Sequence, residues 1–235
     1  MPNEIAPASG LVERAITDIR ALIREAGLKA GDVLPSETAI SERLGVSRAV
    51  TREAFRALSA LRILDIGNGR RARVAAPDAA ALSLIIDHTV HTRQLSIQQV
   101  LDVRRTLELR SASLAALRRS EAQARMLQGT VAQMFDSLEA PDRLMGLDIH
   151  FHEVIAQASG NSLYAILIGS FRVITEQTWH IGWRCRGTLA NRAENIRCHE
   201  RIATAIVVQD PVRAEAMMAE HFDSAMTVLL SAGVT

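Results

Sequence analysis

The chain of 235 residues is poor in the residues that mark several protein classes. Aromatic residues make up only 3% of it, which disfavours a sheet-rich sandwich and favours packed helices. Cys185 and Cys198 are its only cysteines, and in a chain without an export signal we expect both to be reduced thiols. No run of about 20 uncharged apolar residues occurs, so no membrane-spanning helix is predicted. The first ten residues lack the basic and apolar segments of a secretory signal, so we expect a soluble, cytoplasmic protein.

Lysine is also scarce, because Lys29 is the only one and every other basic side chain apart from histidine is an arginine. The formal net charge of +1 hides an asymmetry. Residues 1–76 carry 12 Lys and Arg against 9 Asp and Glu, whereas the remainder carries 15 against 17. This mild basic bias does not identify a nucleic-acid-binding protein by itself.

Residues 1–76 have the pattern of a winged helix-turn-helix. Apolar residues at helical spacing predict a helix over 11–26. A short helix capped by Ser36 follows and ends at Gly45, and a second is capped by Ser47. The Gly67-Asn68-Gly69 turn between two β-prone ends predicts a hairpin, which would be the wing.

The second of these helices has a basic face. Arg48, Arg52 and Arg56 follow one another at intervals of four, so they project from one side, where guanidinium groups could reach guanine or phosphate in a major groove. The alternative is an ordinary solvated arginine face. The preceding helix, the glycine turn and the basic wing favour DNA binding. The predicted inner face consists of Val50, Ala54, Leu58 and Leu61, and the wing arginines are Arg70, Arg71 and Arg73.

The rest of the chain predicts an all-helical domain. The fold class is therefore mainly α: an N-terminal winged helix-turn-helix domain, residues 1–76, followed by a bundle of six or seven helices, residues 77–235. The predicted helices run over 79–92, 96–119, 120–138, 142–158, 162–183, 190–208 and 211–231.

Four side chains in this helical region are candidate metal ligands. Asp148 and His152 lie one turn apart on the same face of a predicted helix, a spacing suited to one cation. His199 and His221 lie on two other predicted helices, and a bundle can bring three helices to one interior point. The alternative is that each histidine forms a hydrogen bond within the core or points to solvent.

The N-terminal segment "LPSETAISERLGVSRAVTREAFRALSALRILDIGNGRRARV" resembles the winged helix-turn-helix of GntR-family transcription regulators. The resemblance implies DNA contacts from the start of the second helix and from the wing tip. Three positions depart from the family pattern: Thr38 where Arg is usual, Val50 where Pro is common and Arg62 where Gly is common. Thr38 often corresponds to a DNA-contacting position, so the usual operator consensus is in doubt. The implied contact residues are Thr38, Ser47, Arg48, Arg52, Asn68 and Gly69.

The segments "VRRTLELRSASLAA", "DIHFHEVIAQASGN", "HERIATAIVVQD" and "AEHFDSAM" resemble the FCD effector domain of the FadR subfamily. In family members that carry all four ligand positions, their equivalents bind a divalent metal, so the resemblance implies a site made by Asp148, His152, His199 and His221. Zn²⁺, Ni²⁺ or Mn²⁺ would suit one carboxylate and three imidazoles.

The same resemblance places Arg104 in an effector pocket. Asn195 lies one turn before His199 and shares its face, and Trp183, with Trp179 one turn earlier, would either form a pocket wall or pack as ordinary core. We expect Glu108 to pair with a neighbouring arginine.

These patterns together predict a transcription regulator, expected to be a repressor, that binds double-stranded operator DNA as a homodimer and senses a small carboxylate such as a sugar acid or organic acid. We do not expect an enzyme, since Glu153 is turned about 100° away from the ligand face of its helix. Two alternatives remain open: a metalloenzyme with a DNA-binding appendage, and a regulator whose metal is purely structural.

Overall fold

The computed structural model describes residues 8–67 and 69–234. The chain divides between Ala81 and Leu82 into two compact units, called here the N-terminal unit and the C-terminal unit. Within the described residues, helices account for most of the chain, and the strands are two short ones in the N-terminal unit. The predicted fold class, mainly α, is confirmed.

In its described residues, 8–67 and 69–81, the N-terminal unit has three complete helices and a two-stranded antiparallel hairpin. Their bounds are α1 Ala8–Glu25, α2 Glu37–Leu44, α3 Arg48–Ala60, β1 Leu64–Asp65 and β2 Arg73–Val74. This order of elements is that of a winged helix-turn-helix, with the hairpin as the wing.

Local chemistry sets the ends of these helices. The Oγ of Ser36 accepts a hydrogen bond from the amide of Ala39, and the Oγ of Ser47 accepts one from Val50, so both predicted N-caps are present. Gly45 closes α2 with a φ of +66°, a conformation that glycine adopts without strain. The tight turn between α2 and α3 follows from this pair of caps.

The core of the N-terminal unit consists mainly of apolar residues. The prediction for α3 is wrong at Leu61, which is 54% exposed, since α3 ends at Ala60 and the next turn leads the chain away. Phe55, 1% exposed, fills the core instead. The buried apolar residues are Ala15, Ile19, Leu22, Leu34, Ile40, Ala54, Phe55, Leu58, Leu64 and Ala72.

The C-terminal unit is a bundle of helices. The bounds are α4 Ala80–His91, α5 Ile97–Arg118, α6 Glu121–Asp136, α7 Pro141–Ala158, α8 Ser162–Ser170, α9 Arg172–Cys185, α10 Leu189–Val207 and α11 Pro211–Ser231. The single helix predicted over 162–183 is two helices, because the chain breaks at Phe171 directly after a Gly-Ser pair, a common cause of helix kinks.

Four of these helices carry the candidate metal ligands and the side chains that bind them. α5 packs against α7, α10 and α11, and α10 packs against α11. Capping boxes at Ser96 and Ser120 fix the starts of α5 and α6. None of the helices in the described part of the chain is long and apolar enough to cross a membrane.

Candidate metal centre, effector cavity and nucleic-acid interface

The exposed face of α3 is basic. Arg48, Arg52 and Arg56 are all exposed, whereas Thr51 and Phe55 face the core. The Nε of Arg52 lies 3.5 Å from the Glu37 carboxylate in the first turn of α2. Next to Glu37, Thr38 is half-buried. The first turn of α2 and the basic face of α3 therefore adjoin, as a recognition surface requires.

Two of the three arginines of the wing bind backbone carbonyls outside it. Arg71 donates through Nε and Nη2 to the carbonyl of Leu34, at 3.0 and 2.7 Å, and Arg73 donates to the carbonyl of Gly31 at 2.7 Å. These two side chains attach the wing to the loop before α2.

Two residues at the tip of the wing are exposed. Arg70 is exposed, and Gly69 is exposed with a φ of +69°. Asn68, which the sequence places at the tip, lies outside the described residues.

In the C-terminal unit the four predicted metal ligands meet inside the bundle. Asp148 and His152 project from α7, His199 from α10 and His221 from α11, and all four are buried. One ligand nitrogen from each of the three histidines lies within 4.8 Å of the other two. The imidazole rings of His199 and His221 are only 4.5 Å apart between centroids.

In each of these imidazoles, one ring nitrogen is left without a hydrogen-bond partner. His199 donates from Nδ1 to the carbonyl of Asn195 at 2.9 Å, and His152 donates from Nδ1 to the carboxylate of Glu108. In the tautomer that donates from Nδ1, the lone pair of the ring lies on Nε2. Within the described residues, His152 Nε2, His199 Nε2 and His221 Nδ1 are buried without a hydrogen-bond partner.

Asp148 completes the set. Its Oδ1 lies 2.7 Å from His199 Nε2, yet the two atoms are not in hydrogen-bonding geometry. Adjacent ligands of one ion, with bonds of about 2.0–2.2 Å, lie at a similar separation from each other. Buried nitrogens that lack partners are rare in folded proteins, so the donor set fits a divalent transition metal.

The protonation states suit metal binding. Burial lowers the pKa of His221 well below the ordinary value of 6.5, and the neighbouring imidazoles lower it further. Burial raises the pKa of the Asp148 carboxyl, but the adjacent imidazoles, His199 first, hold it below its ordinary value. At neutral pH the cluster therefore offers a neutral imidazole and a carboxylate anion, the forms that bind metals.

A buried ion pair between Arg104 and Glu108 contacts the cluster through His152. Arg104 donates from Nε to Glu108 at 2.6 Å and from Nη1 to the hydroxyl of Thr175 at 2.7 Å. Burial raises the pKa of Glu108, but Arg104 and His152 together lower it below its ordinary value. The expected pairing of Glu108 with an arginine is present. Its bond to His152 was not anticipated, because no spacing in the sequence indicates that α5 lies beside α7.

A cavity of about 90 Å³ opens onto the ligands. The structure brings all three predicted effector residues, Arg104, Trp183 and Asn195, to its wall together with Asp148 and two of the histidines. Trp179 stacks on Trp183 with ring centroids 5.1 Å apart. The residues that sequence reasoning missed here are Thr175 and Arg186.

The remaining histidines lie away from the cluster. His88, His91 and His150 are exposed, and His180 lies 3.7 Å from the Asp142 carboxylate. Both cysteines are free, and Cys198 receives a hydrogen bond from Arg201 at 3.1 Å rather than facing the ligands.

A winged helix-turn-helix joined to a helical unit whose interior cavity is lined by apolar and charged side chains is the architecture of a ligand-responsive DNA-binding regulator. Residues 11–74 match the family of bacterial regulatory proteins called gntR, and residues 99–224 match the FCD domain. The chain belongs to the GntR family and is a transcriptional regulator of the type that carries an FCD domain, which confirms both resemblances seen in the sequence.

Its relatives include named regulators. The chain is 30% identical over 213 residues to the HTH-type transcriptional regulator LutR of Bacillus subtilis strain 168, covering 88% of this chain and 96% of the relative. It is 28% identical over 230 residues to the Glc operon transcriptional activator of Escherichia coli K12, covering 94% and 88%. Among solved structures, Streptococcus agalactiae GntR superposes with a TM-score of 0.66 at 28% identity, over 91% of this chain and 97% of that one.

Proposed function

We propose that this regulator is metal-dependent: its C-terminal unit holds a divalent transition metal through Asp148, His152, His199 and His221 and senses a small carboxylate that joins the metal. The observation that carries the proposal is the group of three buried imidazole nitrogens that lack hydrogen-bond partners within the described residues and lie within 4.8 Å of one another. A bound divalent ion would supply positive charge and open coordination positions for a carboxylate.

The residues around the cavity suit this ligand. Arg104 lines the wall and keeps guanidinium donors beyond those bound by Glu108 and Thr175. The Asn195 amide adds hydrogen-bonding groups, and Trp183 forms an apolar surface for the carbon skeleton. A cavity of about 90 Å³ holds a ligand of a few heavy atoms. This size favours a small acid over a ligand as large as an acyl-CoA.

A sensor fits better than a metalloenzyme. Metal-assisted hydrolysis needs a general acid or base beside the bound water. Among the described residues that line the cavity, the only carboxylate is Asp148, which the proposal assigns to the metal. Glu153 is bound by Arg172 at 3.2 Å, and Glu108 is bound by Arg104 and His152. No carboxylate is left in these places to act as a base.

A purely structural metal is the second alternative. Structural sites are usually closed by protein ligands on all sides. Here the cavity reaches Asp148, His152 and His221 directly, so a small molecule could approach the metal. The open side of the cluster favours a sensing role.

The test is the metal content of the purified protein by elemental mass spectrometry, wild type beside His199→Ala. We expect roughly one transition-metal ion per chain in the wild type and little in the variant. His150→Ala is the matched control, because His150 is exposed on the same helix as His152, and it should keep the metal. An equal metal content in all three proteins would contradict the proposal.

On the DNA side, we propose that Arg48 and Arg52 contact base edges, that Ser47 and the wing tip at Asn68 and Gly69 contact phosphates, and that Thr38 alters operator preference. Binding as a homodimer in the cytoplasm would match a palindromic operator. Sedimentation of the protein with a DNA duplex selected from a random pool would test the two-chain stoichiometry. A reporter downstream of that duplex would test repression, and reporter expression that rises with the regulator would contradict it.

A further inference from the structure

The effector cavity has two arginines in its wall, and they differ in their electrostatic surroundings. The charge of Arg104 is balanced by Glu108, which lies within hydrogen-bonding distance and is fully buried. Arg186, the residue after α9, lies within ion-pair distance of no carboxylate in the described part of the chain. Its side chain donates from Nη1 to the carbonyl of Gly182 in its own helix, at 3.1 Å. Arg186 is thus a cation in the wall of a cavity, with no carboxylate within ion-pair distance among the described residues.

The surrounding residues hold Arg186 in this place. Gly182 also lines the cavity, and a Cβ at this position would come within 3.3 Å of the Arg186 Nη1, so the glycine lets the guanidinium lie back over α9. The carbonyl of Arg186 accepts a hydrogen bond from Arg192 at 3.1 Å, which fixes the backbone. Arg186 is half-buried, and burial lowers its pKa while the charge of Asp148 raises it.

The charges around the cavity predict the charge of its ligand. Arg104 and Glu108 cancel, and Asp148 and Arg186 cancel. If the proposed divalent metal is bound, the site therefore retains two positive charges, and a dianion would neutralise them. Much of the remaining wall is apolar, with side chains such as Leu101, Phe222 and Leu229, which suits a short carbon skeleton between two charged ends.

We propose that Arg186 is a second anion-binding group and that the effector is a compact dicarboxylate, with one carboxylate at the metal and Arg104 and the other at Arg186. This inference rests on the proposed metal-dependent sensor. It adds a ligand class to that site, since a monocarboxylate would leave Arg186 without a partner.

Two probes that differ by one carboxylate test the assignment. L-malate and L-lactate are both 2-hydroxy acids, and malate adds a terminal carboxylate. Titration calorimetry on the Zn²⁺-loaded full-length protein should give an affinity for malate about tenfold or more above that for lactate, as expected for one charge-assisted contact. Arg186→Gln should weaken malate binding to the level of lactate and leave lactate binding unchanged. Arg184→Gln, an exposed arginine of the same helix, is the matched control and should change neither.

The outcomes separate this inference from the proposal beneath it. If the wild type binds lactate but shows no preference for malate, or if it binds neither acid, the dicarboxylate assignment is overturned. Equal weakening of both acids in Arg186→Gln would mean that Arg186 only supports the fold, and it would overturn the assignment too. If malate binds equally well without metal and Arg186→Gln still removes the preference, the metal proposal fails while the role of Arg186 stands.

Discussion

The two units place their charged side chains in opposite ways. In the N-terminal unit the core is apolar, and the buried polar residues among those described are Ser41 and Thr51. The C-terminal unit buries six side chains that are charged or carry an imidazole: Arg104, Glu108, Asp148, His152, His199 and His221. The first arrangement stabilises a scaffold whose chemistry lies on its surface. The second places charged and titratable side chains in the interior of the bundle.

The difference shows that burial has two costs. Apolar residues lose chain entropy on burial, but they gain the hydrophobic contribution. Buried charges must in addition be matched by partners, or the unit loses stability. Both units have a packed apolar cluster, but the C-terminal unit depends in addition on specific contacts between buried charged groups, and four experiments address this contrast.

The largest effect is expected from breaking the buried pair. Glu108→Leu leaves Arg104 buried without its anion, which should lower the free energy of unfolding by about 3–5 kcal/mol. Urea unfolding of the metal-free protein, followed by tryptophan fluorescence, measures this, because Trp179 and Trp183 both lie in the C-terminal unit. The double variant Arg104→Met/Glu108→Leu should recover much of the loss, since an apolar pair needs no counter-ion. A double variant as unstable as the single one would contradict the account.

The corresponding change in the N-terminal unit should affect DNA binding and leave folding intact. Replacing Arg48 and Arg52 together by Ala removes exposed groups, so we expect affinity for a selected duplex to fall by about 2–3 kcal/mol with unchanged unfolding. Fluorescence anisotropy at fixed salt measures the affinity. Arg14→Ala, an exposed arginine on α1, is the control. A loss of the same size in this control would indicate a general charge effect.

The third experiment measures how the stability of the C-terminal unit depends on pH. The pKa of His221 is lowered on folding, so below about pH 6.5 the unfolded chain binds a proton that the folded chain does not. Stability of the metal-free C-terminal unit is therefore full above that pH and falls as the pH is lowered. Between pH 7.5 and 5.5 we expect a loss of about 1.4 kcal/mol. His221→Phe should flatten this part of the profile, and an unchanged slope would show that His221 is not its source.

The smallest effect concerns backbone strain in the N-terminal unit. Arg62 follows α3 with a φ of +57°, which is unfavourable for a residue with a Cβ. Arg62→Gly should stabilise the unit by about 1 kcal/mol, measured by hydrogen exchange of α3 amides. Arg62→Ala keeps the strain but removes the exposed ion pair with Asp78, so it should not stabilise. If Arg62→Ala and Arg62→Gly change the stability equally, relief of backbone strain is not the cause of the change.

The sequence predicted the N-terminal unit well, because amphipathic periodicity and capping residues act locally. Ser36, Gly45 and Ser47 alone locate the turn of the helix-turn-helix. The anchoring of Arg71 and Arg73 could not be read from the sequence, since it depends on which backbone carbonyls approach the wing in three dimensions.

The C-terminal unit was less predictable in its details. The spacing of Asp148 and His152 indicated a shared face, but only the family resemblance joined them to His199 and His221, which lie on other helices. The break at Phe171 was missed because the run from Leu163 is apolar at nearly every position, so no period reveals where a helix stops. Arg186 follows a helix end in a polar segment, a place where an exposed side chain is the ordinary expectation.

The shared wall of the cavity has a consequence for regulation. Asp148, His152 and His221 are proposed metal ligands that also line the cavity. Binding of the metal and binding of the carboxylate would therefore be thermodynamically linked, and each would change the affinity for the other by the same factor. The regulator would then need both the metal and the acid, and it would respond to the acid only where enough metal is available. Measuring the carboxylate affinity over a series of buffered free-metal concentrations would reveal this dependence, and a constant affinity across the series would refute it.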